Sequence, residues 1–167
     1  MTGSGRPFYH VAFLADDLQA AIRYWTDAVG TEFYPAVTSR LRLRKGDAEA
    51  DADIRLTFSV AGPPWIELIE RSAHDPFASS ASGTLHHVGI VVQGDPGPAA
   101  PEQDADGTYV VSGAGAELAW FSPPRPGGQR VERVSADYYA QFEGWLARLS
   151  QAAARPTAAD AQPAAGP

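Results

Sequence analysis

Apolar residues fall into short alternating runs broken by Gly- and Pro-rich turns, with two stretches at helical spacing. "FYHVAFLA" (8–15) reads as a strand. "DDLQAAIRYWTDAVG" (16–30) then changes period. Leu18, Ile22, Trp25 and Val29 fall on one face, Asp16 or Asp17 can cap the start, and Gly30 stops the helix. Trp25, Tyr24 and Val29 are expected in the core. Three strands follow within "TEFYPAVTSRLRLR", "ADIRLTFSV" and "WIELIER", separated by a charged turn at 45–53 and a Gly-Pro-Pro turn at 62–64. Segment 72–84 is Ser/Ala-rich without a period and reads as a linker. "LHHVGIVV" (85–92) is a strand with a histidine pair, His86 and His87, at its mouth. After the Pro-rich "GDPGPAAPEQDADG" come strands in "TYVVSGAG", "AELAWFS" and "QRVERVS", then a helix at 137–150. Residues 1–6 and 151–167 carry too little apolar surface to pack and are expected to be disordered.

The two halves look like copies. "YHVAFLA" (9–15) aligns with "HHVGIVV" (86–92), which matches His10 with His87 and Tyr9 with His86. "WIELIER" (65–71) aligns with "RVERVSA" (130–136), matching Glu67 with Glu132. Glu67 follows His10 by 57 positions and Glu132 follows His87 by 45, a deficit of 12. That is about one helix, and it falls where Pro96, Pro98 and Pro101 forbid a helix interior. The expected organisation is module one at 7–71, linker 72–84, module two at 85–136 without its helix, and a C-terminal helix at 137–150. Together these make one α+β domain spanning 7–150, with residues 94–106 irregular.

Charge narrows the partners. Lys plus Arg number 13 against 20 for Asp plus Glu, a net charge of −7. That balance disfavours phosphate backbones and anionic membranes. The absence of cysteine removes disulfides, thiolate nucleophiles and Cys-based zinc sites. No apolar signal core opens the chain and no run reaches the length of a membrane span, so a cytoplasmic protein is expected. Heavy use of Ala, Gly and Pro is compatible with a bacterial source.

Strand–helix–three strands, given twice, resembles the glyoxalase/bleomycin-resistance/dioxygenase family, also called the vicinal oxygen chelate superfamily. The resemblance spans residues 7–148 and rests on "HVAFLADDLQAAIRYWTDAVG", "GPPWIELIE", "LHHVGIVV" and "AELAWFSPPRPGGQRVERV" with its trailing "YYAQFEGWL". It implies two βαβββ modules forming a curved mixed sheet around a cleft. It also implies one metal ion, with His10, Glu67, His87 and Glu132 as ligands. A homodimer follows from the same resemblance, and from the apolar sheet surface that a missing second helix would expose.

Two imidazoles and two carboxylates suit a divalent ion such as Zn, Ni, Co, Mn or Fe(II). Such a set leaves room for two adjacent substrate oxygens, and Glu67 or Glu132 can shuttle a proton next to a carbonyl. A set of two histidines and one carboxylate would instead favour oxygen activation by iron. Periodicity does not choose whether Glu67 and Glu132 face inward or outward. Histidines at strand starts are commonly hydrogen-bonded core residues. His86, aligned with Tyr9, is expected to be a neighbour that contributes packing only, and His74 to be solvated.

Trp65, Phe58, Trp120 and Phe121 are candidates to line the cleft, and suggest an apolar or aromatic small molecule. Arg40, Arg42 and Arg44 share one strand face, expected to be solvated, and loop 122–129 could cover the site as a flap. The leading expectation is a metal-dependent isomerase, epimerase or lyase acting beside a carbonyl. The alternative is a metal-free protein that sequesters an aromatic antibiotic or natural product, with a ring-cleaving dioxygenase third.

Overall fold

Alternation decides which side chains enter the interior. In a computed structural model of the protein, which describes residues 8–78, 82–94, 109–113 and 116–153, strand β1 (Phe8–Ala15) buries His10, Ala12 and Leu14. Val11 and Phe13 stand half-buried on the opposite face, as the two-residue period requires. Helix α1 (Leu18–Val29) follows. Asp17 caps it, its carboxylate accepting the Ala20 N–H at 2.9 Å, and Gly30 ends it in the left-handed conformation at φ 73°. Strands β2 (Val37–Lys45), β3 (Ala48–Phe58) and β4 (Trp65–Glu70) complete the first module. The second contributes β5 (Leu85–Val92), β6 (Tyr109–Gly113), β7 (Ala116–Phe121) and β8 (Arg130–Ser135), and helix α2 (Ala136–Ala153) comes last.

The sheet is mixed and curves until it closes into a barrel, in the cyclic order β1-β4-β3-β2-β6-β7-β8-β5. In each module the first and last strands pair in parallel, β1 with β4 and β5 with β8. The modules join antiparallel at two seams, β1–β5 and β2–β6. The arrangement has approximate two-fold symmetry, and the α+β architecture of paired βαβββ-type modules holds.

Three details depart from the sequence reading. The charged segment 45–53 is mostly strand: only Gly46 and Asp47 separate β2 from β3. Its acidic residues instead face the arginines of β2, Arg42 with Asp51 at 3.0 Å and Arg40 with Asp53 at 3.4 Å. The arginine face is solvated as expected. Helix α1 lies on the outside of the barrel, so Tyr24 and Val29 are 66% and 60% exposed and Trp25 is half-buried against Phe13. The interior is filled from the other end by α2, whose Phe142 packs against Tyr9, Phe58 and Trp65. This helix also runs to Ala153, three residues past its expected end. The expectations for 1–6, for most of 94–106 and for the tail beyond 153 lie outside the described residues.

Candidate metal centre

The closed seam brings four donors together by a simple register. Across β4, β1 and β5, Glu67, Ala12 and His87 lie side by side. Across β1, β5 and β8, His10, Gly89 and Glu132 do the same. Each row places a large donor on either side of a very small residue, so the donors can lean over it and meet. Gly89 is required for this. A Cβ there would stand 2.4 Å from Cε1 of His10, closer than any real contact. Ala12 and Gly89 were not singled out from the sequence, although they occupy matching places in the two copies, two residues after the aligned histidines.

His10 and His87 approach through their Nε2 atoms at 2.7 Å. Oε2 of Glu67 lies 3.3 Å from each Nε2. Oε2 of Glu132 lies 3.2 Å from His10 and 3.8 Å from His87. Ligand atoms about 2.1 Å from a common ion stand roughly 3.0–3.4 Å apart; both Glu67 contacts and the Glu132–His10 contact match this, while the two Nε2 atoms stand closer and Glu132 stands farther from His87. His10, Glu67 and His87 are all buried and together could hold a metal.

The electrostatics fit as well. Burial pushes Glu67 up to about 8. Glu132 is pushed up to about 8 by burial and by the charge of Glu67, against the hydrogen bond from Tyr9. Burial, then nearby Arg130, lowers His87 to about 3, and burial with His87 lowers His10 well below its ordinary range. All four shifts share one cause, donors withdrawn from water with no positive charge among them. A cation at the centre would supply that charge.

Three supporting residues went unrecognised or undervalued in the sequence. The Tyr9 hydroxyl donates to Glu132 at 2.6 Å. A register shift in β1 beside Tyr9 lets it sit buried next to inward-facing His10, where strict alternation would turn it away. Tyr138 of α2 also looks into the site, its hydroxyl pushed up by burial and by both glutamates. His86 is fully buried beside His87, between the rings of Phe77 and Phe121. One ring nitrogen lies 2.8 Å from Nδ1 of His87 and the other 2.8 Å from the Pro76 carbonyl. It therefore touches a candidate ligand directly, which packing alone does not describe. The only usable signal was the repeat itself: Tyr9 and His86 are aligned polar rings, each preceding a candidate ligand.

The donors open on a cavity of about 320 Å³ inside the barrel, covered by α2. Of the four aromatics expected to line it, Phe58 and Phe121 do. Trp65 instead packs against Phe142 and Tyr139, and Trp120 lies on the other face of β7 with the Arg44 guanidinium 6.0 Å from its ring. Alternation along β7 makes this unavoidable, since neighbours Trp120 and Phe121 cannot share a face. The linker does more than connect: its Phe77 is buried and lines the cavity, while His74 is exposed as expected. The cavity walls do not include loop 122–129, the expected flap.

Residues 9–120 match the family model described as the Glyoxalase/Bleomycin resistance protein/Dioxygenase superfamily. The chain belongs to that superfamily. Among curated proteins no sequence matches it. Its fold is similar to a hypothetical protein from Bacillus halodurans, at 16% identity over 79% of this chain and 95% of that one, with TM-score 0.49. Methylmalonyl-CoA epimerase from Mycobacterium tuberculosis shares 16% identity over 81% and 91% of the two chains, TM-score 0.44. Glyoxalase I of Leishmania major shares 14% over 90% and 100%, TM-score 0.30. Likenesses this distant carry no activity across. Among the described residues, no helix is long and apolar enough to cross a membrane.

Proposed function

We propose that the protein is a metal-dependent enzyme of the isomerase, epimerase or lyase type, acting at a carbon beside a carbonyl. The observation that carries this reading is the convergence of His10, Glu67, His87 and Glu132 at one buried point facing a cavity. His10, Glu67 and His87 would hold one divalent ion (Zn, Ni, Co, Mn or Fe(II)), with Glu132 as a fourth donor. When bound, such an ion supplies Lewis acidity toward a substrate carbonyl oxygen.

The chain's own residues do the rest. Leu41, Ile54, Leu56, Phe58 and Phe121 line the cavity and receive the apolar body of a small substrate. Helix α2 covers the site and limits access of water. Glu132 would take the α-proton on its free carboxylate oxygen, while the Tyr9 hydroxyl holds the other by a hydrogen bond. In an epimerisation Glu67, on the other side, would deliver to the opposite face of that carbon a proton it takes up from solvent, and Glu132 would lose its own to solvent. The working unit is taken as residues 7–150, with modules at 7–71 and 85–136, in a cytoplasmic homodimer.

Elemental analysis of protein purified without chelator, beside a His10→Ala/Glu132→Ala variant, tests the metal. Near-stoichiometric metal in the wild type alone is expected. Solvent deuterium exchange at the α-carbon of small carbonyl compounds tests the chemistry, and Glu132→Gln should lose exchange while keeping metal. A wild type free of metal would instead favour sequestration of an apolar ligand. A second reading, a ring-cleaving dioxygenase, is favoured by one observation: His10, His87 and Glu67 by themselves form a two-histidine, one-carboxylate set. Oxygen consumption with a catechol and Fe(II) would support it.

A further inference from the structure

The two histidines of the candidate centre differ in what holds their second ring nitrogen, and the hydrogen bonds around His87 run in one direction only. The Pro76 carbonyl can only accept, so Nε2 of His86, 2.8 Å away, carries the hydrogen. A neutral imidazole has a single N–H, so Nδ1 of His86 is bare. Nδ1 of His87 lies 2.8 Å from it, and that contact needs one hydrogen, which His87 must supply. A neutral His87 with its hydrogen on Nδ1 has a lone pair on Nε2, the atom that faces His10, Glu67 and Glu132.

The structure assigns His86 as a positioning residue that sets the tautomer of His87, and so presents Nε2 as a ready metal donor. This rests on the metal reading above for its purpose, but not for its geometry. The relay is anchored in the linker, where Pro76 and Phe77 are buried. Ser72 and His74 brace that turn: the Ser72 hydroxyl binds both the N–H and the carbonyl of His74, and Phe77 N–H donates to His74 O at 3.0 Å. Rings of Phe77 and Phe121 flank His86 at 5.5 and 6.2 Å and fix its plane. A segment that reads as a featureless connector thereby reaches the metal centre through a backbone carbonyl and one side chain. His10 has no equivalent support: its Nδ1 has no hydrogen-bond partner among the described residues.

The test reads the tautomer first and affinity second. Nitrogen-15 imidazole correlations of ion-free wild-type protein should show His87 protonated at Nδ1. His86→Phe keeps the ring packing and removes the acceptor, so His87 should revert to the Nε2–H form. Titration with Zn2+ alone should then show affinity lowered about 10–100-fold, the range for loss of a ligand's hydrogen-bond partner. His86→Asn, whose side-chain oxygen can replace Nδ1 as acceptor, should recover the Nδ1–H form and bind within a few-fold of wild type. His87 protonated at Nε2 in the wild type would overturn the assignment. So would His86→Phe binding Zn2+ like wild type, or a folded His86→Asn failing as badly as His86→Phe. In a protein that takes up no Zn2+, the metal reading fails, and the tautomer difference between wild type and His86→Phe alone decides for or against His86.

Discussion

His10 and His87 occupy the same place in two copies of one module, yet their surroundings are not copies. His87 is backed by a second histidine and a backbone carbonyl. His10 is backed by packing: the Tyr9 ring lies edge-on at 4.2 Å, and Gly89 leaves its ring just enough room. Symmetry puts the donors in register, because each row needs only a small residue between two large ones. The supports are free to diverge, since anything that holds the ring angle serves. One side is held by hydrogen bonds and the other by shape.

That contrast can be broken most severely at Gly89. Gly89→Val should displace His10 and lower Zn2+ affinity by more than the roughly 100-fold that losing a hydrogen-bond partner costs, measured by calorimetric titration. The matching change Ala12→Gly, which only enlarges the room, should leave Zn2+ affinity close to wild type. Removal of the aromatic plug that α2 sets against the first module comes next. Phe142→Ala empties space between Tyr9, Phe58 and Trp65 and should cost about 3–5 kcal/mol in urea unfolding.

A pH series sharpens the electrostatic side. A carboxyl raised from 4.5 to about 8 binds its proton more tightly in the folded chain than in the unfolded one. Its contribution to stability is therefore full below about 4.5 and lost as pH rises through about 8. Below about 6.5 the depressed His87 and His10 oppose this trend, so the melting temperature of ion-free protein should fall from there up to about pH 8 and level off beyond, and saturating Zn2+ should remove the fall. Tyr9→Phe takes away the hydrogen bond that lowers Glu132, so the same fall should move to higher pH, at a cost of roughly 1–3 kcal/mol once Glu132 is ionised. The smallest effect is expected on the outer face. Arg42→Ala breaks a solvated pair with Asp51 and should leave both melting temperature and Zn2+ affinity unchanged.

Much of this was legible from local pattern. The apolar strand at 8–15, the capped helix ending at Gly30 and the aligned His-to-Glu spacings needed no distant information. The misreadings also have physical causes. Charges at 45–53 were read as a turn because acidic residues are common in turns, but at every second position they form the outer face of a strand, opposite the arginines of β2. Tyr24 and Val29 were placed in the core because an amphipathic helix usually covers one. Here the sheet closes on itself and α2 takes the interior.

By itself, the sequence determined which residues alternate, where helices start and stop, and that His10, Glu67, His87 and Glu132 are repeat-related. It did not determine which face of β4 or β8 points inward, because alternation is equally satisfied by either. Closure at the β1–β5 seam decided that, by setting Ala12 beside Glu67 and His87, and Gly89 beside His10 and Glu132. The relay from Pro76 through His86 was likewise decided by tertiary structure alone. A hydrogen bond needs a donor and an acceptor about 2.8 Å apart, and spacing along a chain does not specify distances between elements that meet only after the sheet has closed.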